Sequence, residues 1–155
     1  MSRYEVQRVD DGPLAGAFAV RRAVFVDEQG VPEATEMDEH DATATHFLAR
    51  DTARDEPVGT ARLRVPEETT GKAERVAVLR PYRGEGLGRR LMEAVESAGR
   101  ERSCSRMVLH AQTHVAEFYA KLGYETVSDV FPEAGIPHVE MEKELSRPRN
   151  PDENR

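Results

Sequence analysis

The stretch PYRGEGLGRRLMEAVESAGRERS, residues 81–103, decides the fold. It places Gly84, Gly86 and Gly88 at alternate positions, flanked by arginines and followed by a helical pattern. Glycines let successive backbone N–H groups turn toward one point, because no Cβ obstructs them. The start of a helix adds unpaired N–H donors and the positive end of the helix dipole. The stretch therefore predicts a pyrophosphate-binding site at a helix N-terminus.

Three phosphate-binding patterns compete for this stretch, and the spacing favours one of them. A P-loop ends in Gly-Lys-Ser/Thr, whereas Gly88 is followed by two arginines. The dinucleotide pattern G-x-G-x-x-G fails because Arg89 stands where the third glycine belongs. The pattern R/Q-x-x-G-x-G/A matches at Arg83, Gly86 and Gly88. For so short a pattern, a tight strand-to-helix turn without a ligand is the alternative.

Hydrophobic periodicity on both sides of the glycines predicts an α/β fold. Leu87, Leu91, Val95 and Ala98 form one apolar stripe on the helix that follows. Further helices are predicted at residues 12–29 and 115–123, a loop at 30–44, and strands at 3–9, 45–51, 57–65, 72–79, 106–112, 124–131 and 138–145. The order β-α-β-β-β-α-β-α-β-β predicts a mixed central sheet of about six to seven strands with helices on both faces.

The composition fits one soluble domain. The chain has 155 residues, a formal net charge of −7 and a single cysteine, Cys104. We expect one domain over residues 1–145 and a disordered polar tail over 146–155. The negative charge argues against a nucleic-acid binder, and no apolar run is long enough for a membrane span. The single cysteine excludes an internal disulfide and fits a reducing cytoplasm.

The segments around the glycines resemble the GNAT N-acetyltransferase superfamily. VAVLRPYRGEG resembles the family's strand and turn before its pyrophosphate loop, and VAEFYAKLGYE resembles its FYxKxGF helix. The resemblance covers residues 6–145. RRAVFVDEQGVPEATEMDEHD and FPEAGIPHVEMEK also resemble a small bacterial and archaeal branch of the family. The first of these segments faintly resembles the acyl-homoserine-lactone synthases, which share the core but lack so clear a coenzyme A loop.

The resemblance implies acetyl-coenzyme A as co-substrate. In this family the pantetheine arm pairs with the strand before the loop like an added strand. Gln112 stands where many members have an asparagine that touches this arm. The expected coenzyme-binding residues are Val76, Ala77, Val78, Arg83, Gly84, Glu85, Gly86, Leu87, Gly88, Arg89, Gln112 and Tyr119.

Two side chains are candidates for the proton transfers. By resemblance, Tyr119 points at the coenzyme sulfur and donates a proton or hydrogen bond to the leaving thiolate. Its alternative role is aromatic packing. The attacking amine must first lose a proton, and Glu74, just before the cofactor strand, is the candidate base. A solvated acid at the end of a strand is the alternative for Glu74.

The acceptor side is expected to be acidic. Glu28, Gln29, Asp38 and Asp41 fall in the segment that covers the acceptor in this family, and an acidic lining favours a cationic amine. The alternative is a solvated acidic loop. His138 follows a loop that can reach the site, as an acceptor contact or a structural cap. His40 and His46 with the two aspartates match no zinc pattern, so no metal is expected.

Together these expectations predict a cytoplasmic acyltransferase. It would move an acetyl group directly from acetyl-coenzyme A to a primary amine of a small molecule or peptide. No His and Asn pattern accompanies Cys104, which argues against a covalent cysteine intermediate. A non-catalytic acetyl-coenzyme A sensor and an acyltransferase related to the acyl-homoserine-lactone synthases are the alternatives. The sequence leaves a homodimer open and does not identify the acceptor.

Overall fold

The computed structural model describes residues 3–9 and 14–145, so the expected tail at 146–155 lies outside the described residues. Contacts divide the chain into two compact units. The first consists of Met1–Arg64 and Ala73–Val95, and the second of Val65–Lys72 and Glu96–Arg155. Among the described residues, no helix is long and apolar enough to cross a membrane.

The sheet strands of the first unit follow the predicted positions. They are β1 (Tyr4–Val9), β2 (Thr45–Asp51), β3 (Glu56–Glu67) and β4 (Thr70–Val78). The end of β3, the β3–β4 turn and the start of β4 belong to the second unit. β1 pairs antiparallel with β2, and β2 pairs antiparallel with β3, as predicted for these two strands. β4 lies beside β3. In the β2–β3 register, His46 stands directly opposite Arg62.

The predicted helix at 12–29 is an α-helix that widens into a π-helix. α1 (Ala15–Arg21) runs directly into a π-helical segment, Arg22–Glu28. Val20 and Val24 on these turns pack with Ala77 of β4. A π-helical segment often marks a functional site, and this one delivers Glu28 to the end of the helix.

The loop predicted at 30–44 is wrong, because the structure places two short helices there. They are α2 (Glu33–Glu36) and a 3-10 helix, Glu39–Ala42, whose N-cap Asp38 accepts from the His40 N–H. Ion pairs to residues distant in sequence order this segment, and a local pattern cannot show such pairs.

The helix after the glycines is α3 (Leu87–Glu101). Leu87, Leu91 and Val95 in the first unit are almost fully buried, which confirms the predicted apolar stripe. The helix therefore packs firmly and holds its own first turn in place.

The second unit is built around two long strands. β5 (Arg106–Gln112) pairs antiparallel with β8 (Ile136–Glu144), and the short strands β6 (Glu125–Thr126) and β7 (Phe131–Glu133) also pair with β8. The helix α4 (Ala116–Lys121) follows β5. Gly123, just beyond its C-cap, has a positive φ of 99°, a conformation that glycine commonly supplies after a helix.

The continuous strand predicted at 124–131 is wrong. The chain pairs over only two residues in β6 and then bends before β7. The Ser128 hydroxyl accepts from the Glu140 N–H and so takes up a strand donor at the bend, and Val130 is left exposed. The described residues contain eight strands, against about six to seven predicted.

Candidate active site

The glycine loop, residues 83–89, has the open backbone that an anion site needs. Gly84 and Gly86 have φ values of 86° and 82°, in the left-handed region that favours glycine. A Cβ built on either residue meets no atom within 4 Å, so the backbone is open to a ligand. α3 starts at Leu87, and the first N–H groups of a helix have no partner within the helix. The loop therefore fits a pyrophosphate.

The arginine of the loop is held by its backbone and by an acid. Arg83 Nε donates to the Val78 carbonyl at 2.8 Å, and its Nη2 lies 2.6 Å from Glu28 Oε2. Arg80 Nη2 also contacts Glu28, at 2.9 Å. The hydrogen bond from Arg83 holds the pKa of Glu28 below its usual value. Glu28, expected on the acceptor side, thus faces the loop arginine in this structure.

The other side chains of the loop point away from one another. Tyr4 donates its hydroxyl proton to Glu85, and Arg89 pairs with Glu93 one turn along α3 at 3.2 Å. The Leu87 side chain is in the core, so only its backbone can meet a ligand. The backbone of the loop therefore carries the site here.

The strand before the loop has an irregularity that the sequence did not reveal. Arg75 has a φ of 55°, so the backbone of β4 turns left-handed directly before Val76, Ala77 and Val78. Ala77 is buried in the core, and Val76 and Val78 are half-buried. Such turns within strands re-aim the backbone and are common beside active sites. The three residues thus follow a local change of strand direction.

Glu74 is enclosed by arginines rather than solvated. Its Oε1 accepts from Arg62 Nη2 at 2.8 Å and from Arg64 Nε at 2.6 Å, and its Oε2 accepts from Arg64 Nη2 at 3.1 Å. A carboxylate that already accepts three charged hydrogen bonds is a poor acceptor for a further proton. The alternative of a solvated strand-end acid does not describe Glu74.

Glu74 belongs to a larger ionic group, which we name the arginine network. Its members are Arg21, Arg62, Arg64, Arg75, Glu36, Asp38, Asp41 and Glu74. Arg62 Nη1 contacts Asp38 at 2.6 Å and Asp41 at 3.0 Å, and Arg21 Nη1 contacts Asp41 at 2.7 Å. Arg21 and Arg62 are each only 1% exposed. Four guanidinium groups therefore face four carboxylates.

The two aspartates stay ionised within the arginine network. Burial alone would raise their pKa, but Arg62 at Asp38 and Arg21 at Asp41 outweigh it, so both pKa values are lowered. Their charges are matched by arginines of the protein itself. Asp38 and Asp41, which are expected on the acceptor side, are thus paired with arginines in this structure. Gln29 lies partly exposed at the end of the π-helical segment.

In the second unit, Tyr119 lies on α4 in an aromatic group. It is 8% exposed, with its ring centroid 4.9 Å from that of Phe118 and 6.0 Å from that of Tyr124. Burial raises the pKa of Tyr119 above its usual value, so the phenol keeps its proton. Both readings of this residue, packing and proton donation, are compatible with this position.

Gln112 and His138 stand side by side in the second unit. Gln112 ends β5 and is directly opposite His138 of β8 in the antiparallel register. His138 is 7% exposed, and its Nδ1 donates to the Ile136 carbonyl at 2.7 Å. This hydrogen bond caps the β7–β8 turn, as expected if His138 is a structural cap.

A cysteine nucleophile and a metal site are the two other chemistries to consider for this chain. Cys104 is a buried free thiol, and burial raises its pKa, which keeps it from acting as a thiolate nucleophile. Within residues 3–9 and 14–145, no three His, Cys, Asp or Glu side chains are placed to hold a metal ion.

Comparisons with known proteins agree with this geometry. Residues 5–145 match the family model described as an acetyltransferase (GNAT) domain. The uncharacterized N-acetyltransferase YjcF of Bacillus subtilis is 41% identical over 84% of this chain and 92% of its own length. The crystal structure of an acyl-CoA N-acyltransferase from Pseudomonas aeruginosa superposes with a TM-score of 0.76 at 31% identity, over 90% of this chain and 97% of that one.

A third protein shares the fold at lower identity. An aminoglycoside 6'-N-acetyltransferase, crystallised with coenzyme A, superposes with a TM-score of 0.75 at 21% identity, over 94% of this chain and 99% of that one. The expected α/β fold with a mixed sheet and flanking helices is thereby confirmed. The chain belongs to the GNAT family of acetyltransferases and is an acyltransferase.

Proposed function

We propose that this protein transfers an acetyl group from acetyl-coenzyme A directly to a primary amine of a small molecule or peptide. The observation that carries the proposal is the glycine loop. Its left-handed Gly84 and Gly86 leave open backbone at the start of the well-packed helix α3. The family match and the coenzyme A bound to a protein of the same fold support this assignment.

The loop and the strand before it would hold the coenzyme. Backbone N–H groups of residues 84–89 would meet the pyrophosphate, and Arg83 would add a charge-assisted contact. Arg83 is already oriented by the Val78 carbonyl, so little side-chain freedom is lost on binding. The backbone of Val76, Ala77 and Val78 would pair with the pantetheine arm. The bound coenzyme supplies the acetyl group as a thioester.

Tyr119 would donate to the leaving thiolate. Its phenol is buried and keeps its proton, so it can donate a hydrogen bond to a thiolate that develops beside it. Burial raises its pKa, which favours a hydrogen bond over complete proton transfer. Gln112, at the end of β5, would contact the pantetheine arm. Cys104 is buried and protonated, which supports direct transfer over a covalent cysteine intermediate.

Glu74 would act as a positioning residue rather than as the base. Its carboxylate accepts three hydrogen bonds from Arg62 and Arg64 and so holds both guanidinium groups just before the cofactor strand. We therefore assign it the role of fixing the start of that strand, where the backbone turns at Arg75.

The direct test is acetyl-coenzyme A with a panel of primary amines, with release of free thiol and the mass of the acetylated amine as readouts. We expect amine-dependent thiol release and a product heavier by one acetyl group. Calorimetric titration with acetyl-coenzyme A runs in parallel. Binding without thiol release for any amine would favour the non-catalytic sensor, and absence of binding would overturn the proposal as a whole.

A further inference from the structure

The partly exposed face of β5, β7 and β8 gathers two histidines and two glutamates around an aromatic ring. We name this the His–Glu cluster: His110, His138, Glu133, Glu140 and Phe131. His110 Nδ1 lies 2.9 Å from Glu133 Oε1, and His110 Nε2 lies 3.4 Å from Glu140 Oε1. His138 Nε2 lies 3.5 Å from Glu133 Oε2. The strand register brings the residues together, since His110 stands opposite Glu140.

The hydrogen bonds determine where the imidazole protons are. His138 must carry a proton on Nδ1, because that atom donates to the Ile136 carbonyl. His110 likewise donates from Nδ1 to the Glu133 carboxylate. When either imidazole is neutral, its Nε2 then presents a lone pair. These lone pairs face Glu140 at 3.4 Å and Glu133 at 3.5 Å, longer than ordinary hydrogen bonds.

Two lone pairs facing two carboxylates make a site that lacks hydrogen-bond donors. An ammonium or guanidinium group carries several N–H donors and a positive charge, which satisfies both contacts. The Phe131 ring packs beside both imidazoles, with its centroid 5.1 Å from that of His110 and 6.2 Å from that of His138. The chemistry of the cluster therefore favours a cationic ligand.

The cluster combines a buried imidazole with two carboxylates that are accessible to solvent. The His138 side chain is 8% exposed, whereas those of Glu133 and Glu140 are 46% and 42% exposed. A ligand can contact the two carboxylates from solvent, and the buried His138 imidazole lies next to one of them, Glu133. The cluster also adjoins expected reaction residues of its own unit, since His138 is the register partner of Gln112.

The cluster differs from the acidic segment at 33–41 in its charge balance. Glu36, Asp38 and Asp41 of that segment pair with arginines of the arginine network, and Glu33 pairs with Arg22, so the charge of these four carboxylates is matched within the protein. In the described part of the chain, the charged-group contacts of Glu133 and Glu140 are with imidazoles and with no lysine or arginine. Glu133 and Glu140 therefore carry negative charge that no lysine or arginine pair offsets in the described part of the chain.

We infer that the His–Glu cluster binds a positively charged group of the acceptor, an ammonium or guanidinium. The inference rests on the proposed acetyl transfer to an amine and names the class of that amine. It replaces the acidic segment as the part of the chain that selects a cationic acceptor.

The test compares acceptors that differ only in the charge of the far end: diaminopentane, aminopentanol and aminopentanoate. We expect the ratio kcat/KM to be highest for diaminopentane and lowest for aminopentanoate. Glu133→Gln and Glu140→Gln should each raise KM for diaminopentane by ~10-fold and leave KM for acetyl-coenzyme A unchanged, because each removes one charge contact. Aminopentanol should respond little to either substitution.

The matched control is Glu142→Gln, which changes the next residue of β8 on the same face, where the carboxylate pairs with Arg106 at 2.8 Å. It should leave KM for diaminopentane unchanged. Equal turnover of the three acceptors, or equal effects of all three substitutions, would overturn the inference.

A binding measurement separates this inference from the proposed reaction. Calorimetric titration of diaminopentane into the protein saturated with coenzyme A needs no turnover. We expect binding that weakens by ~10-fold in Glu133→Gln and not in Glu142→Gln. If no amine is acetylated but this pattern holds, the reaction fails and the cation site stands. If amines are acetylated but diaminopentane binds equally to both variants, the cation site fails.

Discussion

Tyr119 is the residue on which the proposed chemistry depends most directly. A developing thiolate needs a proton or hydrogen-bond donor, and this phenol is buried and keeps its proton. Tyr119→Phe retains the ring and its packing against Phe118 and Tyr124. We expect kcat to fall by ~10²-fold, as on loss of a general acid, with little change in the affinity for acetyl-coenzyme A. Steady-state kinetics and calorimetry measure the two quantities.

The neighbouring tyrosine provides the control. Tyr124 donates to buried Glu96 at 2.8 Å, so Tyr124→Phe removes a hydrogen bond from a buried carboxylate and should cost about 1–3 kcal/mol of stability. It should leave kcat nearly unchanged. If Tyr119→Phe turns over at the parent rate, or Tyr124→Phe is slowed as much, Tyr119 serves only in packing.

His46 should make the stability of the protein depend on pH. It is 3% exposed, its Nε2 contacts the Asp41 carbonyl at 3.0 Å, and burial lowers its pKa. In the unfolded chain its pKa returns to about 6.5. Below that pH the unfolded chain binds a proton that the folded protein does not, so the free energy of unfolding falls as pH falls.

For this single proton, the fall is at most about 1.4 kcal/mol per pH unit, and it ends below the folded pKa of His46. Urea denaturation between pH 7.5 and pH 5 measures the slope. His46→Gln removes the titrating group and should flatten it, whereas His114→Gln, at an exposed histidine, should not. An unchanged slope in His46→Gln would show that other groups control this pH range.

Among the elements, the segment with α2 and the 3-10 helix depends on the arginine network. Asp41 contacts Arg21 and Arg62, which are both almost fully buried, and its side chain is 10% exposed. Asp41→Asn should therefore cost about 3 kcal/mol of stability, because it leaves buried guanidinium groups short of a partner. The same change at Asp38, whose side chain is 25% exposed, should cost less stability, because water can replace the lost contacts.

Chemical denaturation of the two variants gives the comparison. Kinetics on the folded fraction should show no selective rise in KM for a cationic amine, since these aspartates are matched by arginines. A selective rise at normal stability would restore the acceptor role that the sequence suggested for this segment.

The elements also show what the sequence could and could not predict. The glycine loop and α3 were predictable, because a run of glycines, a helix stripe and an arginine are all local signals. The segment at 30–44 was not, because Arg62 and Arg75 reach it from β3 and β4. The His–Glu cluster escaped for the same reason, since only the pairing of β5 with β8 places His110 beside Glu140.

At the scale of the whole molecule, ligand binding should raise the stability of the folded chain. A ligand that binds only the native state adds about 2.7 kcal/mol at a concentration of 100 times its Kd. For a chain of this length, that gain corresponds to a rise in Tm of ~5–10 °C. The net charge of −7 gives the anionic coenzyme no general attraction, so the rise depends on the glycine loop.

The loop can be blocked without disturbing the core. Gly86→Asp places a carboxylate in the open space above the loop, where it repels a pyrophosphate, and it should abolish the rise in Tm on adding acetyl-coenzyme A. Gly30→Asp is the matched control, because Gly30 has a φ of 75° and the same open surroundings in a turn outside the glycine loop. Both changes carry similar backbone strain, so both should lower the Tm of the free protein alike. Thermal unfolding with and without acetyl-coenzyme A measures the difference. A full rise in folded Gly86→Asp, or its loss in Gly30→Asp, would place the coenzyme elsewhere on the molecule.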